Sequence, residues 1–280
     1  MADRKPQIAS RKSQILFLAA VLALGGRAYP ADAPLRLDYD LRVWKGLHAL
    51  GRTIGSVTMA LAAERFEGRP CRVLRVRTVA SAVGFDLDAT TESYMAPDLG
   101  REFGFHYTRT GSPKVQSSLV FGPDQIEYRR RVGGEWRALC RHPYDATACD
   151  MFAALYLARA DGLAVGGPPR VARCVADQKL WDIAFRAVAH ERVEVPAGTF
   201  DTVRVELAPE PANAYTRTQP FRGPFALGPD LTLWIEPARR LVVKLAGTAH
   251  LSVSLQAEMA LRQMTNDPGG MTNDRMTNDE

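Results

Sequence analysis

The sequence is poor in the signals that announce chemistry. It holds no G-x-S-x-G elbow, no H-E-x-x-H helix, no Walker loop and no G-x-G-x-x-G following a strand, which removes the usual local signatures of hydrolases, zinc proteases and nucleotide enzymes. Histidine is scarce, five in 280 residues, and His48, His106, His190 and His250 stand singly. Cysteine is scarce too: Cys71, Cys140, Cys149 and Cys174 are all there are, too few for a disulfide-built scaffold. Long apolar runs are missing. The longest, Ile15 to Leu24, is about half of the roughly 20 residues that a membrane-crossing helix needs, and no later run exceeds it.

An excess of positive charge is absent once its location is considered. The chain carries +5, but residues 1 to 28 hold Arg4, Lys5, Arg11, Lys12 and Arg27 against Asp3 alone. Taking that +4 from +5 leaves +1, so the electrostatic footprint of a nucleic-acid binder is lacking.

What is present at the start is an ordered leader. Basic residues, an apolar run and the small residues Gly25, Gly26 and Ala28 follow one another, as in a secretory signal peptide. Cleavage is expected after Ala28, with delivery to the periplasm as a protein that does not span the membrane. Its cysteines would then meet an oxidising compartment, where Cys140 and Cys149 are the pair expected by short separation; buried free thiols are the alternative.

From residue 34 to 263 the sequence reads as one β-rich domain. Leu35, Leu37, Tyr39, Leu41 and Val43 alternate with Arg36, Asp38, Asp40 and Arg42, the period of a strand with one buried face. The same rhythm recurs about a dozen times, at Val57-Met59-Leu61, Ile183-Phe185-Ala187, Val203-Val205-Leu207 and Leu241-Val243-Leu245 among others. Short turns separate the runs, which implies antiparallel neighbours. A sheet of that size curls into a barrel or half-barrel, or splits into a sandwich. One segment breaks the pattern: Met151, Phe152, Leu155 and Tyr156 recur at helical spacing. They predict one packed helix near 145–160, capped by Asp145 or Thr147 and ended by Gly162. Residues 264–280, with three copies of Met-Thr-Asn-Asp, read as a disordered tail.

Candidate chemistry is sparse. Cys140, His142 and Cys149, with Asp145 and Asp150 nearby, are the densest group of potential ligands, but their spacing matches no common zinc hook. No metal, cofactor or catalytic residue is assigned. Asp86 and Asp88 share a row with Thr90 and Glu92, as a solvated strand face does, and Arg129-Arg130-Arg131 follows the general preference for arginine over lysine. Trp44, Trp136, Trp181 and Trp234 lie in or beside strands, several out of phase with the apolar row, and are the candidates for lining a ligand cavity or anchoring a partner. Between the runs ending at Val195 and starting near Phe200, Pro196 withdraws a ladder donor and Gly198 permits a left-handed backbone angle, predicting a hairpin turn with Phe200 as its aromatic anchor.

Four segments together resemble the bacterial cell-envelope family known as domain-of-unknown-function family 3108. They are Y-D-L-R-V-W-K-G with G-R-T-I-G-S-V-T-M-A-L between Tyr39 and Leu61, D-M-F-A-A-L-Y-L-A-R from Asp150 to Arg159, V-P-A-G-T-F from Val195 to Phe200, and L-W-I-E-P-A-R-R-L-V-V-K-L from Leu233 to Leu245. Asp150, Tyr156 and Arg159 carry the helix part of the likeness. Ala153 departs from it where a small hydroxyl residue is common, and Pro237 occupies the turn of the last hairpin. The resemblance implies an exported, mainly β protein and transfers no catalytic group.

Three function classes remain. The first is a non-enzymatic envelope protein holding a hydrophobic or lipid-like ligand in a sheet concavity. The second is a structural or protein-interaction module without such a cavity, its tryptophans facing an envelope protein. The third is a hydrolase or metalloenzyme built on the Cys140 to Asp150 group.

Overall fold

A computed structural model describes residues 35–44, 52–82, 85–110, 114–158, 163–176, 178–218, 220–250 and 254–265. The expected leader lies outside them, as do Arg159, Gly162 and residues 266–280 of the expected tail; Met264 and Thr265, expected in that tail, instead end the last strand of the sheet, paired with Leu37 and Arg36.

The described residues form one sheet of 15 strands with one α-helix. In chain order the elements are β1 (Leu35–Trp44), β2 (Arg52–Phe66), β3 (Arg69–Ala82), β4 (Phe85–Met95), β5 (Glu102–Arg109), β6 (Val115–Phe121), β7 (Gln125–Val132), β8 (Glu135–Pro143) and β9 (Cys149–Asp150). Then come α1 (Met151–Ala158), β10 (Arg170–Ala176), β11 (Lys179–Val195), β12 (Gly198–Pro211), β13 (Thr232–Glu236), β14 (Leu241–His250) and β15 (Ser254–Thr265).

Two meanders meet at the centre. The spatial order runs β8 back to β1, then β15 back to β9, so β1 and β15, far apart in sequence, pair antiparallel in the middle. Every pair is antiparallel except β9 with β10. The ladder is open, with β8 and β9 as its two ends.

Alternation decides which face is inside. In β1 Leu37, Tyr39 and Leu41 are buried on the inner face, while Asp38 on the outer face accepts from Arg36 and from the Thr58 hydroxyl. The outer row of β3 and β4 is tied by cross-strand ion pairs, Arg75 with Glu92 and Arg77 with Asp88. That places Asp88 and Glu92 in a solvated charged ladder. Arg75 also binds Glu64.

Curvature comes from local faults in the ladder. Register shifts fall at Asp38/Tyr39, Leu41/Arg42, Tyr94/Met95, Tyr128/Arg129, Ala187/Ala189 and Trp234/Ile235. Each inserts a bend that adds to the strand twist. The sheet curls far enough for its two wings to meet through side chains. Leu119, Ile126 and Tyr128 of β6 and β7 pack against Val175 and Leu180 of β10 and β11. A larger apolar core fills the concave side.

Close approach at one point requires glycine. A Cβ on Gly55 would sit 2.0 Å from the Val79 carbonyl oxygen and 2.6 Å from the Ala80 Cα, so the β2–β3 pairing admits no side chain there.

Candidate functional site

The concave face is the natural place for a site, and α1 occupies it. The helix starts later than its sequence predicts. Asp145 does not cap it, because its Oδ1 accepts from the Thr147 backbone N–H and hydroxyl at 2.8 and 2.6 Å, an Asx turn that competes with helix. Asp145 also binds Arg173. After that turn Cys149 and Asp150 pair with β10, and only then does the helix begin. Its cap is Asp150, whose Oδ1 accepts from Phe152 N–H at 2.6 Å and Ala153 N–H at 3.2 Å. The helix carries no charged residue. It is a core element rather than an amphipathic surface one: Met151, Ala153, Ala154, Leu155 and Ala158 are all buried.

Below α1 lies an apolar seat. Phe152, Leu155 and Tyr156 face Leu37, Tyr39, Met59 and Leu74 from one wing and Leu233, Val242, Leu245 and Met259 from the other. Tyr39 enters with its hydroxyl satisfied, donating to the Val242 carbonyl at 2.8 Å. The remaining cavity is about 30 Å³, room for about one water. Pockets that take a small organic ligand run to roughly 300–1,000 Å³.

A buried acid pair fixes the helix start. Glu102 of β5 and Asp150 are 4% and 1% exposed, and Glu102 Oε2 accepts the Asp150 backbone N–H at 2.6 Å. Glu102 Oε1, Asp150 Oδ2 and the Ser93 hydroxyl have no hydrogen-bond partner at close range, although Glu102 and Ser93 lie near enough to the Asp150 carboxylate to stabilise its charge. Burial first, then the Asp150 charge, holds Glu102 well above the ordinary carboxyl range. Burial raises Asp150 as well, but donors from Glu102, Ser93 and the helix N–H groups oppose it. Both carboxyls are thus pushed toward their protonated forms, Glu102 the more strongly. Nothing near Glu102 in the local sequence announces this role; only its pairing across the fold does.

The residues of the zinc reading are divided. Cys140 Sγ and His142 Nε2 both address the Gln178 carbonyl, at 3.2 and 3.1 Å, where the end of β8 meets the β10–β11 turn. Burial lowers the His142 pKa. Cys149, by contrast, lies beside Cys174, with their sulfurs 4.0 Å apart. That neighbour differs from the Cys140 expected by short separation: β9–β10 pairing, not chain distance, selects it. No disulfide joins any of the four cysteines in this structure, and among the described residues no three His, Cys, Asp or Glu side chains converge as a metal site.

The four tryptophans do not converge either. Trp181 is 3% exposed and packs edge-to-face on Phe221 at 5.1 Å. Trp234 donates its indole N–H to Glu191 at 2.7 Å and carries Lys244 over its ring at 5.0 Å. Trp44 is half-buried at the end of β1. Trp136 is different: it is 49% exposed on β8, a strand with a neighbour on one side only. Leu139 on the same strand is also exposed, as is Val132 at the end of β7.

The β11–β12 hairpin follows its sequence closely. Val195 pairs with Gly198 across Pro196-Ala197, Gly198 has φ of +129°, and Phe200 is half-buried against the core. An open groove of about 360 Å³ lies on this hairpin between His190, Glu191, Arg192, Asp201, Thr202 and Pro237. Of its charged lining, Glu191 is already engaged, binding Trp234 and Arg204.

No curated protein matches the sequence. Among solved structures, a β-barrel-like protein of the domain of unknown function DUF1849 from Brucella abortus superposes with a TM-score of 0.53 at 10% identity, covering 84% of this chain and 98% of that one. It shares the fold. A protein from Bacteroides fragilis described as exported, with a YmcC-like fold, gives a TM-score of 0.32 at 11% identity, covering 84% and 96%. One from Parabacteroides distasonis described as a lipoprotein gives 0.28 at 13%, covering 84% and 95%. A family model spans residues 38–259, from within β1 to the middle of β15. The chain belongs to DUF3108, a family of proteins of unknown function.

Proposed function

We propose that this protein is an exported, non-catalytic component of the bacterial cell envelope that binds a partner protein along the free edge of its sheet. The observation that carries the reading is β8. It offers nine residues of strand with one side unpaired and displays Trp136 and Leu139 to solvent. A long edge of this kind accepts an extended segment as a further strand. The basic, apolar and small-residue leader supports export.

Charge narrows the partner. Residues 125–143 of β7 and β8 hold Arg129, Arg130, Arg131, Arg137 and Arg141 against Glu127 and Glu135, and Glu127 is bound by both Arg129 and Arg141. Two copies of this edge repel, which discourages self-association. An extended peptide alternating apolar and acidic side chains is the complementary occupant.

The competing reading, a hydrophobic or lipid-like ligand in the concavity, requires α1 to leave its seat, since the seat has about 30 Å³ to spare. A hydrolase or metalloenzyme has weaker support. The acid pair is buried, and Cys140 Sγ and His142 Nε2 both address the Gln178 carbonyl.

Fluorescence polarisation with a labelled octapeptide alternating valine and glutamate tests the edge. Saturable binding is expected, weakened about tenfold or more by Trp136→Ala and by Arg137→Glu. Equal binding of a valine–lysine octapeptide, or no response to either substitution, refutes it. Export is tested separately by the N-terminal residue of protein recovered from the periplasmic fraction, expected after Ala28; recovery only in the cytoplasm with Met1 intact refutes it.

A further inference from the structure

Cys149 and Cys174 stand directly opposite one another where β9 runs parallel to β10. Neighbouring strands lie about 4.8 Å apart and put directly paired side chains on one face, and a disulfide spans Cα separations of roughly 4.4–6.8 Å. The two sulfurs are 4.0 Å apart. A bond between them closes that gap to roughly 2.05 Å. Both side chains are buried, at 3% and 0% exposure, so no solvent or polar group has to be cleared from between them.

We propose that Cys149 and Cys174 form a disulfide in the mature protein, tying the β9–α1 corner to the sheet. The two thiols join through their sulfurs and release two protons and two electrons. The electrons reduce the disulfide of a thiol–disulfide oxidoreductase, or of oxidised glutathione, to two thiols.

The fold indicates when the bond forms and what it does. In the finished structure each thiol is shielded from oxidant by burial, and the Cys174 thiol together with burial pushes the Cys149 pKa well up. Thiolate is the reacting species, so oxidation belongs to the stage at which β9 has paired with β10 but the corner is still open. Once made, the bond closes a loop across a separation of 25 residues that contains all of α1. Without it, the start of the helix is held to this wing by two residue pairs of ladder and the Asp145–Arg173 ion pair. The bond keeps the helix seated in the concavity.

The physiological claim rests on the proposed export, because the envelope supplies the oxidising conditions; the test does not. Purified, reduced and denatured protein is refolded in a glutathione redox buffer, its free thiols are alkylated in denaturant, and it is digested with trypsin. Mass spectrometry is expected to find the peptide His142–Arg159 joined to Cys174–Lys179, with Cys71 and Cys140 alkylated. In urea titrations, reductant is expected to lower the wild-type folding equilibrium constant on the order of 10²-fold, as removal of a loop-closing bond of this span does, and to leave a Cys149→Ala/Cys174→Ala variant unmoved. Four alkylated cysteines, or a link from Cys149 to Cys140, overturns the proposal. So does a wild-type urea midpoint indifferent to reductant. Should the double variant fail to fold, the peptide map on wild-type protein still decides. None of these outcomes bears on export, which the mature N-terminus reports.

Discussion

Replacing Leu155 by alanine tests whether the concavity is a packed core or a pocket waiting for a guest. Leu155 is 5% exposed and projects from α1 onto the seat formed by both wings. The substitution removes three carbon groups, at about 0.8 kcal/mol each in transfer free energy. The space they vacate adjoins a cavity of only about 30 Å³, and the surrounding strands are held by ladder hydrogen bonds that prevent collapse, so a cavity term adds to the loss. Buried leucine-to-alanine changes span about 2.7–5.0 kcal/mol; about 3–4 kcal/mol is expected here. A domain stable by roughly 5–15 kcal/mol survives that loss. Urea unfolding followed by circular dichroism reads it as a lower midpoint at unchanged slope. A loss below about 1 kcal/mol would mean that the seat is loosely filled, and the reading of a plugged interior would fail.

Three further perturbations follow from the fold. Because burial raises the Glu102 pKa above its unfolded value, the protonated group favours the folded state at low pH, and that contribution is lost as pH rises through the folded pKa. Glu102→Gln keeps an acceptor for the Asp150 N–H and a donor toward its carboxylate but does not titrate. Its stability is expected to exceed that of wild type increasingly as pH rises above the ordinary glutamate range of about 4.3, and parallel curves in urea titrations would show that Glu102 ionises alike in both states. The two glycines differ in kind. Gly198→Ala meets no close atom but must hold φ of +129°, a loss of about 1 kcal/mol or more. Gly55→Ala drives a methyl into the Val79 carbonyl, about 3 kcal/mol. Thermal denaturation of each checks both, and a neutral Gly55→Ala would contradict the close β2–β3 approach.

Much of the fold was legible because its signal is local. The period-two rows of β1, β11, β12 and β14 set which face is buried with no knowledge of their partners, and Pro196-Ala197-Gly198 marks a two-residue hairpin by its own backbone preferences. The helix was legible in type but not in boundary. Asp145 and Thr147 have the side chains of caps, yet they satisfy one another in a turn, and Asp150 takes the role instead. What stayed hidden depends on contacts distant in sequence. A strand of two residues has no periodicity, so the β9–β10 pairing that sets Cys149 against Cys174 leaves no trace in the sequence. Glu102 looks like any strand carboxylate until β5 meets the start of α1. The exposure of Trp136, and the burial of Trp181, follow from the strand order: β8 ends the sheet while β11 lies inside it.

Whether the concavity is filled by its own helix or by a guest is decided most directly by native mass spectrometry of protein purified from the envelope without detergent or organic solvent. The packed seat predicts the mass of the polypeptide alone. A stoichiometric adduct released by organic extraction and identified as lipid would contradict it.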